Sequence, residues 1–287
     1  MTDQHARARR ALRAALEVRR RAGVDRSDPV CVFDLAERLK LEVKFCSGSS
    51  FGGMYSKTSG AVLVPTLRPP GRQATTCAHE MGHWFFNHGT RVDEISVDDT
   101  YLSDSPEEQL ADMFSHYLLM PPWAVNLAFA KRRWTPQSCG PLELGAIASQ
   151  LGVGYETLVQ HLRWSLKQLP PRRAEELLKI SPKEIRRSVS ELAHSAPHLV
   201  VVDRAWEKVA IDLRMEDRAL IPAGSHAEGR SIRIVGACSL GEIVEGVRPG
   251  IGRVQSSDGA WSSFVRVCRK EFVGRSIYRH LEDPDVD

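Results

Sequence analysis

Residues 76–83 read Thr76-Cys77-Ala78-His79-Glu80-Met81-Gly82-His83, and Trp84-Phe85-Phe86 follow them. Positions i and i+4 of a helix lie on one face, so the imidazoles of His79 and His83 are directed toward a common point. Neutral imidazole is a good zinc ligand, at about 2.0–2.1 Å. Glu80 stands beside the first histidine, on the flank of the same face. From there it can take a proton from a water that zinc has acidified to a pKa of about 7, rather than bind the metal itself. The residues around the motif are apolar, so the helix is expected to be buried. Two buried histidines and a glutamate with no shared partner would be costly, and a metal removes that cost. The helix is expected from Gln73 to about Asn87, with Gly89 as its stop signal.

Such a site needs a third protein ligand and an open position. His88 lies five residues after His83. A metzincin-type site would need Gly at position 86 and His at 89, where this chain has Phe86 and Gly89. His88 is therefore read as a helix C-terminal residue that favours the dipole. The next helix offers a better ligand. Ser105-Pro106-Glu107-Glu108 is a good helix start, with Ser at the N-cap, Pro at the first helical position and acids in the first turn. Glu108, Ala111, Phe114 or Ser115, and Leu118 then share a face. The small Ala111 lets two helices approach closely, which turns Glu108 inward and leaves Glu107 outside. Asp112, one turn on, either accepts the second N–H of a ligating histidine or serves as a capping or surface residue. His116 lies a further turn along. Tyr55, Tyr101 and His116 are candidates for an additional donor to a developing oxyanion.

Working outward, Gln4 to Ala22 reads as an Arg- and Ala-rich helix packed by its alanine side. Val32 to Leu39 reads as an amphipathic helix, and Leu41 to Phe45 alternates as a strand does. Met54-Tyr55 and Ala61 to Val64 flank Thr58-Ser59-Gly60, the signature of a β-hairpin. The stretch from Arg91 to Asp112 is strongly acidic. Asp98, Asp99 and Asp104 there would attract a basic substrate segment.

The two motifs together, Thr76 to His83 and Glu108-Gln109-Leu110-Ala111-Asp112-Met113-Phe114-Ser115 with Leu118-Leu119-Met120-Pro121, resemble the ImmA/IrrE family of metallopeptidases. Val32 to Leu39 and Arg72-Gln73 resemble it as well. The likeness covers roughly residues 29 to 123. It implies an α+β, zincin-like metallopeptidase core with a small sheet. In that core His79, His83 and Glu108 hold zinc, with manganese as a second candidate ion, and Glu80 is the general base. It also implies a protein substrate, a transcriptional repressor of helix-turn-helix type, and hence a role in transcription regulation and stress response.

Leu144 to Leu162 has helix-turn-helix character: Ala148 at a crossing, Gly152 in the turn, and Val153, Leu158 and Leu162 in a small core. Structural or protein-docking use is the leading reading, and DNA binding through Tyr155 to Arg163 the second. From His198 onward, short β-branched runs between glycine-containing turns predict a β-rich domain. They are Leu199 to Val202, Ser231 to Val235, Gly252 to Gln255 and Phe264 to Val267. Family relatives carry a sensor-like domain of GAF type here. This segment is short for one, so a packing or docking module is expected, with Trp206 and Trp261 in its core. The expected division is 1–28, a basic helix; 29–130, the zincin-like domain; 131–195, the helix-turn-helix-like helices; and 196–287, the β-rich domain.

Composition narrows the class. At 287 residues, 42% hydrophobic and 26% charged, the chain is neither collagen-like nor wholly disordered. A formal net charge of +3 is too small to imply a nucleic-acid partner by itself. The six cysteines form no Cys-x-x-Cys pair and are expected to be reduced thiols. No apolar signal-peptide core follows Met1 and no apolar run approaches the roughly 18 residues of a membrane span, so a cytoplasmic location is expected. The alternative to an endopeptidase is a non-catalytic DNA-binding or protein-sequestering regulator with a vestigial metal site.

Overall fold

The computed structural model describes residues 3–48, 51–89, 91–94 and 105–282. The chain divides into two compact units. The first holds Met1–Leu127, Leu151–Val153 and Val273–Ile277, and the second Ala128–Gln150, Gly154–Phe272 and Tyr278–Asp287.

The first unit opens with α1 (Asp3–Arg21). Ala11, Ala14, Ala15 and Val18 recur at helical spacing and are buried, so the alanine side packs as expected. Arg19 departs from the expected solvated arginines. It is 1% exposed. Its guanidinium donates to the Leu118 carbonyl at 2.7 Å and to the carbonyls of Asp25 and Asp28. These three acceptors satisfy a charge that would otherwise be expensive to bury.

Next come α2 (Val32–Arg38), β1 (Glu42–Cys46), β2 (Phe51–Ser56), β3 (Ala61–Pro65), α3 (Pro70–Phe86), β4 (Arg91–Glu94) and α4 (Pro106–Leu119). β2 and β3 form the expected antiparallel hairpin, with Met54 opposite Leu63 and Ser56 opposite Ala61. β1 runs parallel to β3. β4 pairs antiparallel with β2. Gln73 at the start of α3 donates to the Thr66 carbonyl at 2.8 Å, which ties the helix to the end of β3. Pro70 at the first turn is the expected tolerance for a missing N–H. α3 packs on β2 and β3 on one side and on α4 on the other, and α4 also packs against α1. Thus the motif helix lies between the sheet and its neighbour helix, with Cys77, Ala78 and Met81 fully buried.

α5 (Pro122–Arg132) follows, then α6 (Pro141–Gln150), α7 (Tyr155–Gln160) with a π-helical turn over His161–Ser165, α8 (Pro171–Leu178), α9 (Pro182–Val189) and α10 (Glu191–Ser195). Gly152, between α6 and α7, has a φ of +69°, the left-handed region that glycine enters without strain. Ala148, Leu158 and Leu162 are buried. Ser181 and Glu184 form a reciprocal capping box at the start of α9.

The β-rich part of the second unit has eight strands. They are β5 (Leu199–Val201), β6 (Ile211–Arg214), β7 (Arg218–Pro222), β8 (Ser225–Glu228), β9 (Ile232–Cys238), β10 (Gly241–Gly246), β11 (Gly250–Ser256) and β12 (Ser262–Cys268). They form two four-stranded sheets, ordered β5-β7-β10-β9 and β6-β12-β11-β8. Trp206 and Trp261 sit in the core as expected, at 4% and 6% exposure. Their indoles are satisfied there, Trp261 Nε1 donating to the Trp206 carbonyl and Trp206 Nε1 to the Val209 carbonyl. A last short strand, β13 (Gly274–Arg275), pairs antiparallel with β1 and completes the sheet of the first unit in the order β13-β1-β3-β2-β4.

Candidate metal centre

α3 and α4 build the site by crossing at small residues. A Cβ on Gly82 would lie 3.1 Å from the Ala111 Cα and 3.1 Å from the Phe114 ring. The expected role of Ala111 therefore has a counterpart on α3, since Gly82 lets the two backbones approach. That approach brings Glu108 to the two histidines. His79 Nε2 lies 2.9 Å from His83 Nε2 and 3.2 Å from Glu108 Oε2, and His83 Nε2 lies 3.4 Å from Glu108 Oε2.

Two ligands bound at 2.0–2.1 Å with tetrahedral angles lie roughly 3.3 Å apart. The three observed separations bracket that value, so two imidazole nitrogens and one carboxylate oxygen fit a small divalent ion. Among the described residues, His79, His83 and Glu108 are the one set of three His, Cys, Asp or Glu side chains whose ligand atoms converge in this way.

The outward nitrogens of both histidines are also engaged. His79 Nδ1 is 2.7 Å from Asp112 Oδ1. Asp112 therefore meets a histidine of the trio, one of the two roles left open by its position. His83 Nδ1 is 3.1 Å from His88 Nδ1. Helical periodicity does not predict that contact, because residues five apart on a continuing helix point about 140° apart. The helix does not continue. Asn87, with a φ of +57°, takes the left-handed conformation. The His88 N–H bonds to the His83 carbonyl at 3.0 Å and the Asn87 N–H to the Trp84 carbonyl. This is a Schellman ending, which places the residue after the left-handed one back over the last turn. The stop is therefore Asn87 and not Gly89. An Asn followed by a His, five positions after a ligand-type histidine, is the sequence signal that marks it.

Burial opposes a charge on His79, but the hydrogen bonds it makes to the carboxylates of Asp112 and Glu108 outweigh it and hold the imidazole well above its ordinary value. The His79 and His83 contacts hold the Glu108 carboxyl well below the usual carboxylate range, against the effect of burial. Both shifts describe a carboxylate-rich pocket that favours positive charge. Glu80 is buried, at 1% exposure. The backbone of β2 abuts it: a Cβ on Gly53 would come within 2.8 Å of Glu80 Oε1.

His116 is half-buried on α4, and burial pushes its imidazole below the ordinary value while nearby Asp112 acts against the shift. Tyr55 lies two residues along β2 from Gly53, so both belong to one face of the strand. Tyr101 lies outside the described residues, as do Asp98, Asp99 and Asp104.

An α+β domain that gathers two histidines one turn apart on a helix, a carboxylate from the neighbouring helix and a buried glutamate beside them has the make-up of a metallopeptidase domain. Residues 36–163 match the family model of the IrrE N-terminal-like domain, Peptidase_M78, in agreement with the ImmA/IrrE resemblance of the two motifs. A peptidase domain of this family implies a protein substrate. No curated protein matches the chain. Among the described residues, no helix is long and apolar enough to cross a membrane.

Proposed function

We propose that this chain is a zinc-dependent endopeptidase that cleaves a specific protein, a transcriptional repressor of helix-turn-helix type. The observation that carries the reading is the convergence of His79, His83 and Glu108 beside buried Glu80, within a stretch matching a peptidase family. Two imidazoles and one carboxylate are a donor set that suits zinc and leaves a fourth position open. When bound, the ion acts as a Lewis acid toward the scissile carbonyl and toward water.

The residues of this chain supply the rest. Glu80 accepts a proton on its carboxylate as water adds to the carbonyl carbon, and delivers it to the amine nitrogen as the C–N bond breaks. General base work of this kind is worth roughly 10²–10⁴-fold in rate. Asp112 holds His79 with its Nε2 turned toward Glu108. Tyr55 and His116 are the described candidates for a second donor to the oxyanion.

DNA binding through residues 155–163 has less in its favour. Arg163 is paired with Glu175 and lies over the Trp164 ring, and Glu156 is exposed on the same helix. The helix-turn-helix-like stretch is better suited to holding a protein partner.

The test is co-incubation of the purified chain with helix-turn-helix repressors, beginning with any encoded beside it, with and without chelator, and with Glu80→Gln. Chelator-sensitive cleavage that Glu80→Gln abolishes while zinc remains bound supports the reading. A chain that takes up no metal, or a Glu80→Gln variant that cleaves normally, overturns it.

A further inference from the structure

We propose that His88 is a positioning residue for the metal, accepting a hydrogen bond on its Nδ1 from the Nδ1–H of His83. The inference rests on the metal-site reading above and extends it to a residue outside the ligand set.

Only one proton can lie between His83 Nδ1 and His88 Nδ1, which are 3.1 Å apart. A neutral imidazole carries its proton on one nitrogen and a lone pair on the other. For His83 to present a lone pair at Nε2, beside His79 and Glu108, its proton must sit on Nδ1. His88 Nδ1 is then the acceptor. The tautomer of His83 is fixed by this contact as that of His79 is fixed by Asp112.

The structure also shows what keeps His88 in place. The Schellman ending at Asn87 folds its backbone over the last turn of α3. Its ring stacks on Phe86, with centroids 5.6 Å apart and planes 22° from parallel. Arg10 of α1 lies over the other partner of that stack, 5.0 Å from the Phe86 centroid. His88 is 8% exposed, so the contact is shielded from competing water.

Charge explains why an imidazole serves here rather than a second carboxylate. Glu80, Glu108 and Asp112 already exceed the charge of a divalent ion. A further buried anion behind His83 would lack a partner. A neutral acceptor orients the ligand without that cost.

His88 both stacks on Phe86 and meets His83, and two variants separate the two roles. H88F keeps an aromatic ring on Phe86 and removes the acceptor. H88N keeps an oxygen near the Nδ1 position and removes the ring. Zinc affinity of the full chain is measured by competition with a chromophoric chelator, and the ligand-field bands of the cobalt(II)-loaded protein are recorded. H88F is expected to bind zinc roughly 10–100-fold more weakly than wild type and to shift the cobalt bands. H88N is expected to stay near wild type in both. H88F binding as tightly as wild type, or H88N as weakly as H88F, overturns the role of His88 while leaving the metal site standing. A wild-type chain that binds no zinc overturns the metal site itself, and the role of His88 with it.

Discussion

Gly82 of α3 lies directly against Ala111 of α4, so closely that a Cβ on Gly82 would stand 3.1 Å from the Ala111 Cα. This one approach sets the distance between the helix that carries His79 and His83 and the helix that carries Glu108. Gly82→Ala would gain about 1 kcal/mol of helix propensity. The added methyl meets backbone, which cannot rotate away, and overpacking of this kind costs about 1–3 kcal/mol. The steric cost wins. We expect Gly82→Ala to lose up to about 2 kcal/mol of stability and to weaken zinc binding, because the helices spread where the proposed ligands meet. Denaturant unfolding with and without zinc checks this. An unchanged zinc affinity would show that the helix spacing does not control the site.

The same pair shows how far the sequence could be read. Ala111 was identifiable as a close-approach residue because it falls on the face of Glu108, a local pattern. Its partner Gly82 sits inside the motif but gains meaning only from the crossing. The histidine pair was legible because i, i+4 spacing is internal to one helix. Glu108 was legible because Ser105-Pro106 fixes where α4 begins, and so which residues face inward. His88 was hidden because its contact depends on the left-handed turn at Asn87, and helical periodicity points it away from His83. β13 was hidden for a different reason. A two-residue strand has no pattern of its own, and its register with Lys44 and Phe45 joins distant parts of the chain. β6, β7, β8 and β10 went unread because four to six residues between turns carry little periodicity, although Trp206 and Trp261 were enough to mark a core around them.

Gly53 abuts both Glu80 and Thr76 of α3. A Cβ at position 53 would come within 2.4 Å of Thr76 Cγ2 and 2.8 Å of Glu80 Oε1. Glu80 Oε1 ends a flexible side chain and can swing aside, whereas the Thr76 methyl sits on a β-branched side chain that is stiff at χ1, so Gly53→Ala displaces Glu80 and also strains the contact with α3. If Glu80 is the general base, its displacement costs turnover, and a displacement near 1 Å is worth on the order of 100-fold in rate. We expect Gly53→Ala to keep its zinc affinity, to lose about 1–3 kcal/mol of stability through overpacking, and to lose one to two orders of magnitude in cleavage rate, roughly the cost of such misplacement. Adding Thr76→Ser removes the methyl clash but not the one at Glu80, so the double variant should stay impaired. Full activity in Gly53→Ala would argue against Glu80 in this position as the base.

His280, in the second unit, makes stability depend on pH. Burial lowers its imidazole to about 4, with Arg279 and Arg266 adding to the shift and Asp212 opposing it. The fold therefore prefers the neutral ring. Its contribution is fully present above the unfolded value near 6.5 and is lost as pH falls toward 4. The side chain is 12% exposed, so little of the effect is screened by solvent. The loss across that window is on the order of 3 kcal/mol. Asp212 acts in a lower window. Burial would raise its carboxyl, but Arg266 and Arg279 bring it down to about 2, so its share persists until the pH falls below about 4. We expect wild type to lose stability steeply between pH 6.5 and 4, and His280→Gln to show a shallower slope over the same range whatever its stability at neutral pH. Thermal unfolding of the second unit as a function of pH reads both slopes. Parallel slopes in the two proteins would mean that His280 takes up its proton without cost in the folded state.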